Sequence, residues 1–104
     1  FLFFLVGHCK MIASLKIEIF IPTSQSLKAK RRVVNRIKGR LRSRYNVSVA
    51  ETGGNDKWQR AELTIAMAGN SKHHLEKEIQ TVRTVIDNIC LGYAEILSVI
   101  VGFI

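Results

Sequence analysis

Of the 16 Lys and Arg residues in this 104-residue chain, nine fall between Lys28 and Arg44, and no acid stands among them. The rest of the chain carries seven bases against eight acids, so the formal excess of +8 belongs to that one segment. Evenly spread basicity would serve solubility alone, whereas a concentrated block sets up a local field that gathers phosphates. The chemistry open to it is charge-assisted hydrogen bonding to an anion.

A second group of polar residues follows at Asp56, Lys57, Trp58 and Arg60. Trp58 offers a ring on which a base can stack, although an aromatic beside a hairpin more often covers the edge of a sheet. Asp56, next to two bases, reads as a brace or salt-bridge partner for Lys57 and Arg60 before it reads as a general base. His73 and His74 are adjacent, so on a helix they point about 100° apart and lack the spacing that puts two imidazoles on one metal. Cys9 and Cys90 form neither a Cys-x-x-Cys redox pair nor a zinc knuckle, and two isolated thiols make no secreted disulfide framework. Cys90 reads as a small buried apolar residue, and a reducing cytoplasm is the expected compartment. No catalytic residue, metal site or cofactor is expected.

Elements must hold these side chains in place. Leu15, Ile17, Ile19 and Ile21 alternate with Ser14, Lys16, Glu18 and Phe20, the period of a half-buried strand over 12–21, which Pro22 ends. The run from Thr23 to Ser26 supplies turn chemistry and a helix N-cap. Leu27, Val34, Ile37, Leu41 and Tyr45 then recur at helical spacing and, with Val33, fill an arc of about 120° that must face the core. Lys28, Arg31, Arg32, Arg36, Lys38, Arg40 and Arg42 occupy the remaining circumference, with no acid at i,i+4 to pair them. Bases in a first helical turn oppose the macrodipole, at up to about 1 kcal/mol each, unless an anion occupies the amide-rich N-terminus. A second strand is expected over 46–51, a turn at Gly53-Gly54-Asn55-Asp56, and a third strand over 59–68 with Ala61, Leu63, Ile65 and Met67 on one face. Asn70 or Ser71 caps a second helix with a Leu75, Ile79, Val82 and Ile86 stripe, and a last strand covers 94–104.

Strand, helix, hairpin, helix, strand is the split β-α-β pattern, and two right-handed crossovers give an α+β ferredoxin-like fold. The expected architecture is β-α-β-β-α-β, an antiparallel four-stranded sheet with two helices on one face. The start of the first helix and the tip of the hairpin then lie at one end of the domain. That places Ser24, Ser26, Lys28, Lys30 and Arg31 near Asp56, Lys57, Trp58 and Arg60. Residues 11–104 are expected to form this single domain, with residues 1–10 an extension outside it and a clipped signal peptide the alternative. Phe1 to Gly7 is apolar but far shorter than the roughly 20 residues a spanning helix needs, so no membrane partner is expected.

Three stretches resemble the YlxP-like family of small bacterial proteins, a domain of unknown function: S-L-K-A-K-R-R-V-V at 26–34, L-R-S-R-Y-N-V-S-V-A-E-T at 41–52 and D-K-W-Q-R-A at 56–61. The likeness runs from Met11 to about Asp87, and the apolar L-S-V-I-V-G-F-I ending departs from it. The resemblance implies a ferredoxin-like fold and, through the family's frequent company with translation genes, a ribosomal role; it implies no activity. The aromatic run of RNA-recognition modules on this topology is absent from the third strand, as are the Met-x-Cys-x-x-Cys loop of copper carriers and the Gly-rich loop of acylphosphatases. The expected function is therefore a non-enzymatic RNA- or ribosome-binding accessory protein. Its contacts are expected through Lys28, Lys30, Arg31, Arg32, Arg36, Lys38, Arg40 and Arg42 on the helix and Lys57, Trp58 and Arg60 on the hairpin. Its partner would be structured RNA or a ribosomal subunit, read by backbone shape. The alternative is a dimeric protein-interaction or scaffold module without nucleic-acid binding. A homodimer through the open sheet face is expected, on a patch of Phe20, Ala66, Ala68 and, depending on register, Ile96 and Ile100 beside few charges.

Overall fold

A computed structural model describes residues 11–92 and 94–104. The expectation for residues 1–10 falls outside the described residues. β1 (Met11–Phe20) leads through a short loop to α1 (Leu27–Arg44). β2 (Ser48–Gly53) and β3 (Arg60–Gly69) form a hairpin, and α2 (Lys72–Cys90) precedes β4 (Glu95–Phe103). The four strands form one sheet in the order β2-β3-β1-β4, every neighbouring pair antiparallel. This is the expected ferredoxin-like arrangement.

Period-2 alternation decides the faces. Ala13, Leu15, Ile17 and Ile19 of β1 pair with Met67, Ile65, Leu63 and Ala61 of β3, and all eight are buried beneath the helices. Val34, Ile37 and Leu41 of α1 and Leu75, Ile79, Val82, Ile86 and Cys90 of α2 close the core from above. α1 packs over β2 and β3, while α2 packs over β3, β1 and β4. Both helices start on a serine cap: Ser26 Oγ accepts from the Ala29 amide at 3.0 Å and Ser71 Oγ from the His74 amide at 3.2 Å. The β2 boundary lies two residues later than the pattern suggested, because the bulge between Glu51 and Gly53 lets the strand run into the first turn glycine.

The open face of the sheet carries Phe20, Ala66, Ala68 and Ile100 of the patch expected from sequence, but not Ile96, and charge interrupts it. Its middle carries Lys16 against Glu62 (3.8 Å), Arg60 against Glu18 (3.7 Å) and Thr52 donating to Glu62 (2.9 Å). Ile96 pairs with Ile19 on the helix-covered side, so it leaves the patch, while Ile100 pairs with Lys16 on the open side. A register irregularity opposite Glu18 and Ile19 causes the change of face along β4. It shifts the two-residue alternation on which the patch depended.

Candidate nucleic-acid interface

The basic residues of α1 are distributed around the helix by its 3.6-residue period. Lys28 and Arg32 stand on the outer crest, one turn apart and exposed. Arg36, Arg40 and Arg44, also a turn apart, line a groove between the helices whose other wall is Val85, Asn88 and Ile89 of α2 with Leu91 just past its end. On the flank toward β2, with Arg31 and Lys38 on the same side by phase, Arg42 Nη2 donates to the Val49 carbonyl at 2.7 Å. Lys28, Arg31, Arg32, Lys38, Arg40 and Arg44 have no acidic partner within 4.0 Å among the described residues. The first turn of α1 holds no acid either. Arg44 extends the Arg36–Arg40 row and was missed as a site residue; its i,i+4 spacing from Arg40 was the available signal.

Lys30 corrects the expected site. It is fully buried, with Nζ 2.6 Å from the Gly54 carbonyl and 2.9 Å from Glu51 Oε2. Apart from this ion pair, the buried Glu51 Oε2 has no hydrogen-bond partner among the described residues. The physical reason is phase. Lys30 is one turn before Val34 and two before Ile37, in the core arc, so its ammonium can only point under the hairpin. Glu51 follows Val49 by two residues and therefore shares its inward face, which is how sequence could have revealed the pair.

The hairpin tip and the start of α1 do meet, and backbone groups join them. The Ile21 amide donates to the Gln59 carbonyl at 2.7 Å, and Gln59 Nε2 donates to the Pro22 and Ser24 carbonyls at 3.0 and 3.4 Å. Gln59 is a positioning residue that sequence reading did not single out. Gly54, at φ +71°, makes the turn and offers its carbonyl both to Lys30 and to the Lys57 amide.

The side chains beyond that seam face the other way. Ala61 is buried beneath the helices, so its neighbour Arg60 must project from the open face, where it meets Glu18 instead of the helix N-terminus. Asp56 makes no ion pair with Lys57 or Arg60, contrary to expectation, because Arg60 is turned toward Glu18. Trp58 keeps 56% of its surface exposed and does not seal the sheet edge; with Phe20, Lys57 and Arg60 it lines a shallow depression at the end of the open face. Arg60 is thus separated by the sheet from the α1 cluster, and Lys57 and Trp58 border its depression, so the expected single anion site spanning helix and hairpin is not assembled.

Elsewhere the chemistry is sparse. His74 Nε2 lies 3.3 Å from Glu78, an i,i+4 helix pair, and no group of three metal-ligating side chains exists among the described residues. Cys90 is a buried free thiol whose ionisation is pushed up by burial, with the Asp87 charge adding to it. No described helix is long and apolar enough to cross a membrane.

A four-stranded antiparallel sheet, two helices on one face and one of them uniformly basic define a ferredoxin-like α+β domain with a cationic helix. The chain belongs to the family described as "Protein of unknown function (DUF503)", whose model matches residues 12–100. It is 41% identical over 78 residues to the uncharacterized protein YlxP of Bacillus subtilis (strain 168), covering 75% of this chain and 85% of that protein. Among solved structures it is similar to the de novo designed protein Foldit4, at TM-score 0.56 and 16% identity over 91% of this chain and 96% of that one. It is equally similar to part of the Bacillus subtilis YXEP protein, a dinuclear metal-binding peptidase of the M20 family, with the same TM-score and identity over 91% of this chain but 25% of that chain. At this identity both likenesses speak to the fold alone.

Proposed function

We propose that this is a non-enzymatic, cytoplasmic RNA-binding accessory protein that holds the phosphate backbone of structured RNA, such as that of a ribosomal subunit, along α1. The observation that supports this reading is the run of unpaired cations: among the described residues, Lys28, Arg31, Arg32, Lys38, Arg40 and Arg44 have no acid in reach. A helix that is merely solvated mixes charge signs, and like charges a turn apart destabilise it unless an anion relieves them. β3 carries none of the aromatic residues on which RNA-recognition modules of this topology stack bases, so binding through the α1 cations fits backbone geometry and not base identity.

The salt dependence of binding to a structured RNA tests it. Neutralising about five phosphates gives a log-log slope of roughly −3.5 to −4.5. Changing Arg32, Arg36 and Arg40 together to Gln should weaken binding and flatten that slope by about one for each phosphate no longer neutralised. Lys57→Gln with Arg60→Gln should change neither much, because Arg60 faces the other side of the sheet. A slope near zero for the native protein, or full affinity in the triple variant with its fold intact, defeats the proposal.

A further inference from the structure

The two edges of the sheet are built differently. The β2 edge is six residues long, is interrupted by a bulge at Glu51 and Gly53, and has its Val49 carbonyl capped by Arg42. Such features keep an edge from recruiting another strand. β4 has none of them past its irregularity: its register with β1 is unbroken from Ser98 to Phe103, and no charge or proline stands between Ile96 and Ile104. Apolar side chains are exposed from both of its faces, Leu97 at 41%, Ile100 at 60%, Val101 at 42% and Ile104 at 85%. A row of backbone donors and acceptors that pairs with no strand among the described residues, flanked by apolar side chains, is complementary to another extended strand.

We propose that this edge is a homodimer interface, in which β4 of one copy pairs antiparallel with β4 of a second about a two-fold axis, joining two four-stranded sheets into one. Charge singles out a second copy as the occupant. α2, which covers the β1–β4 half, balances Lys72, Lys77 and Arg83 against Glu76, Glu78 and Asp87. The nine bases of α1 sit over β2 and β3, and α1 does not reach β4. Copies meeting at β4 therefore meet neutral on neutral. With strands about 4.8 Å apart, the two α1 helices end up on the order of 30 Å from each other, beyond the Debye length of about 10 Å at 0.1 M salt. An interface made by α1 would instead set like charges against like, since eight of its nine bases stand outside the core. The identical apolar stripe also satisfies the self-complementarity a two-fold interface requires. This inference is independent of RNA binding.

Sedimentation equilibrium of the full chain should give twice the 11.8 kDa chain mass, and Leu97→Lys combined with Ile100→Lys should return the mass to one chain while the circular dichroism spectrum is kept. Should that variant misfold, nitroxide labels decide the matter. In a Cys9→Ser background, with Cys90 buried, labels on Ser98→Cys should show a dipolar distance below about 20 Å across the axis. Labels on Ser43→Cys, on α1, should lie farther apart than those on Ser98→Cys. A concentration-independent single-chain mass overturns the proposal. So does a dimer in which the Ser43 labels are the closer pair.

Discussion

Lys30 is the residue whose role differs most from what its type suggests. A cation in a basic block is here a core residue, held between Glu51 and the Gly54 carbonyl. Removing one member of a buried ion pair leaves the other charge without compensation, at about 3–5 kcal/mol, so Lys30→Met should lower the urea midpoint sharply. Lys30→Met combined with Glu51→Leu should recover most of the loss, since an apolar pair can replace an ionic one and the Gly54 carbonyl keeps the Lys57 amide. If the double variant is no better than the single one, the ion pair is not the source of the effect. Cys90 carries a pH dependence. Its ionisation is raised above the ordinary 9.0 by burial, then by Asp87, so the native state keeps the proton that the unfolded chain releases first. The contribution is complete below pH 9.0 and is lost as pH rises through the folded value. Chemical denaturation at rising alkaline pH should show a shallower fall for Cys90→Val than for the native chain.

α1 sacrifices stability along its length. Ser26 supplies the N-cap, and replacing it with Ala should cost about 1 kcal/mol of unfolding free energy, read from the denaturant midpoint. Gly39 lies mid-helix, exposed, and a Cβ there would touch nothing within 4 Å. Gly39→Ala should therefore stabilise the domain by about 0.4–1 kcal/mol in the same assay, chiefly by narrowing the unfolded ensemble. The glycine of the hairpin behaves oppositely. Gly54 sits at φ +71°, where an added Cβ would come 3.1 Å from the Arg60 carbonyl oxygen. Gly54→Ala should cost about 1–2 kcal/mol for the left-handed conformation alone and disturb the acceptor that Lys30 uses. An equal effect of alanine at the two glycines would contradict this account.

The molecule as a whole is polarised, with a neutral half over β1 and β4 and a cationic half over β2 and β3. Repulsion within the cationic half opposes folding and is screened by salt. The thermal midpoint should rise when salt is raised from about 0.01 M to 0.15 M, as the Debye length shortens from about 30 to 8 Å. Changing Arg32, Arg36 and Arg40 to Gln should reduce that rise. A midpoint indifferent to salt in both proteins would mean that the α1 charges do not oppose folding. RNA binding, being electrostatic, should weaken over the same range in which the free protein becomes more stable.

Element order, the two serine caps, the buried faces of β1 and β3 and the α2 stripe were legible in the sequence, because periodicity and capping are local properties of the chain. So was the location of the charge, since nine bases without an acid need no structure to be counted. Three things were decided only by tertiary structure. Helical phase put Lys30 in the core arc and strand alternation put Glu51 on the inward face, but only the packing of α1 on β2 brought the two together across 21 positions. The face of Ile96 depended on a register irregularity against β1, which belongs to the pairing of two strands and not to either alone. Arg60 left the helix-side cluster because the sheet itself stands between them. Sequence proximity to the hairpin tip fixed which end of the domain it occupies, while the pleat fixed which side.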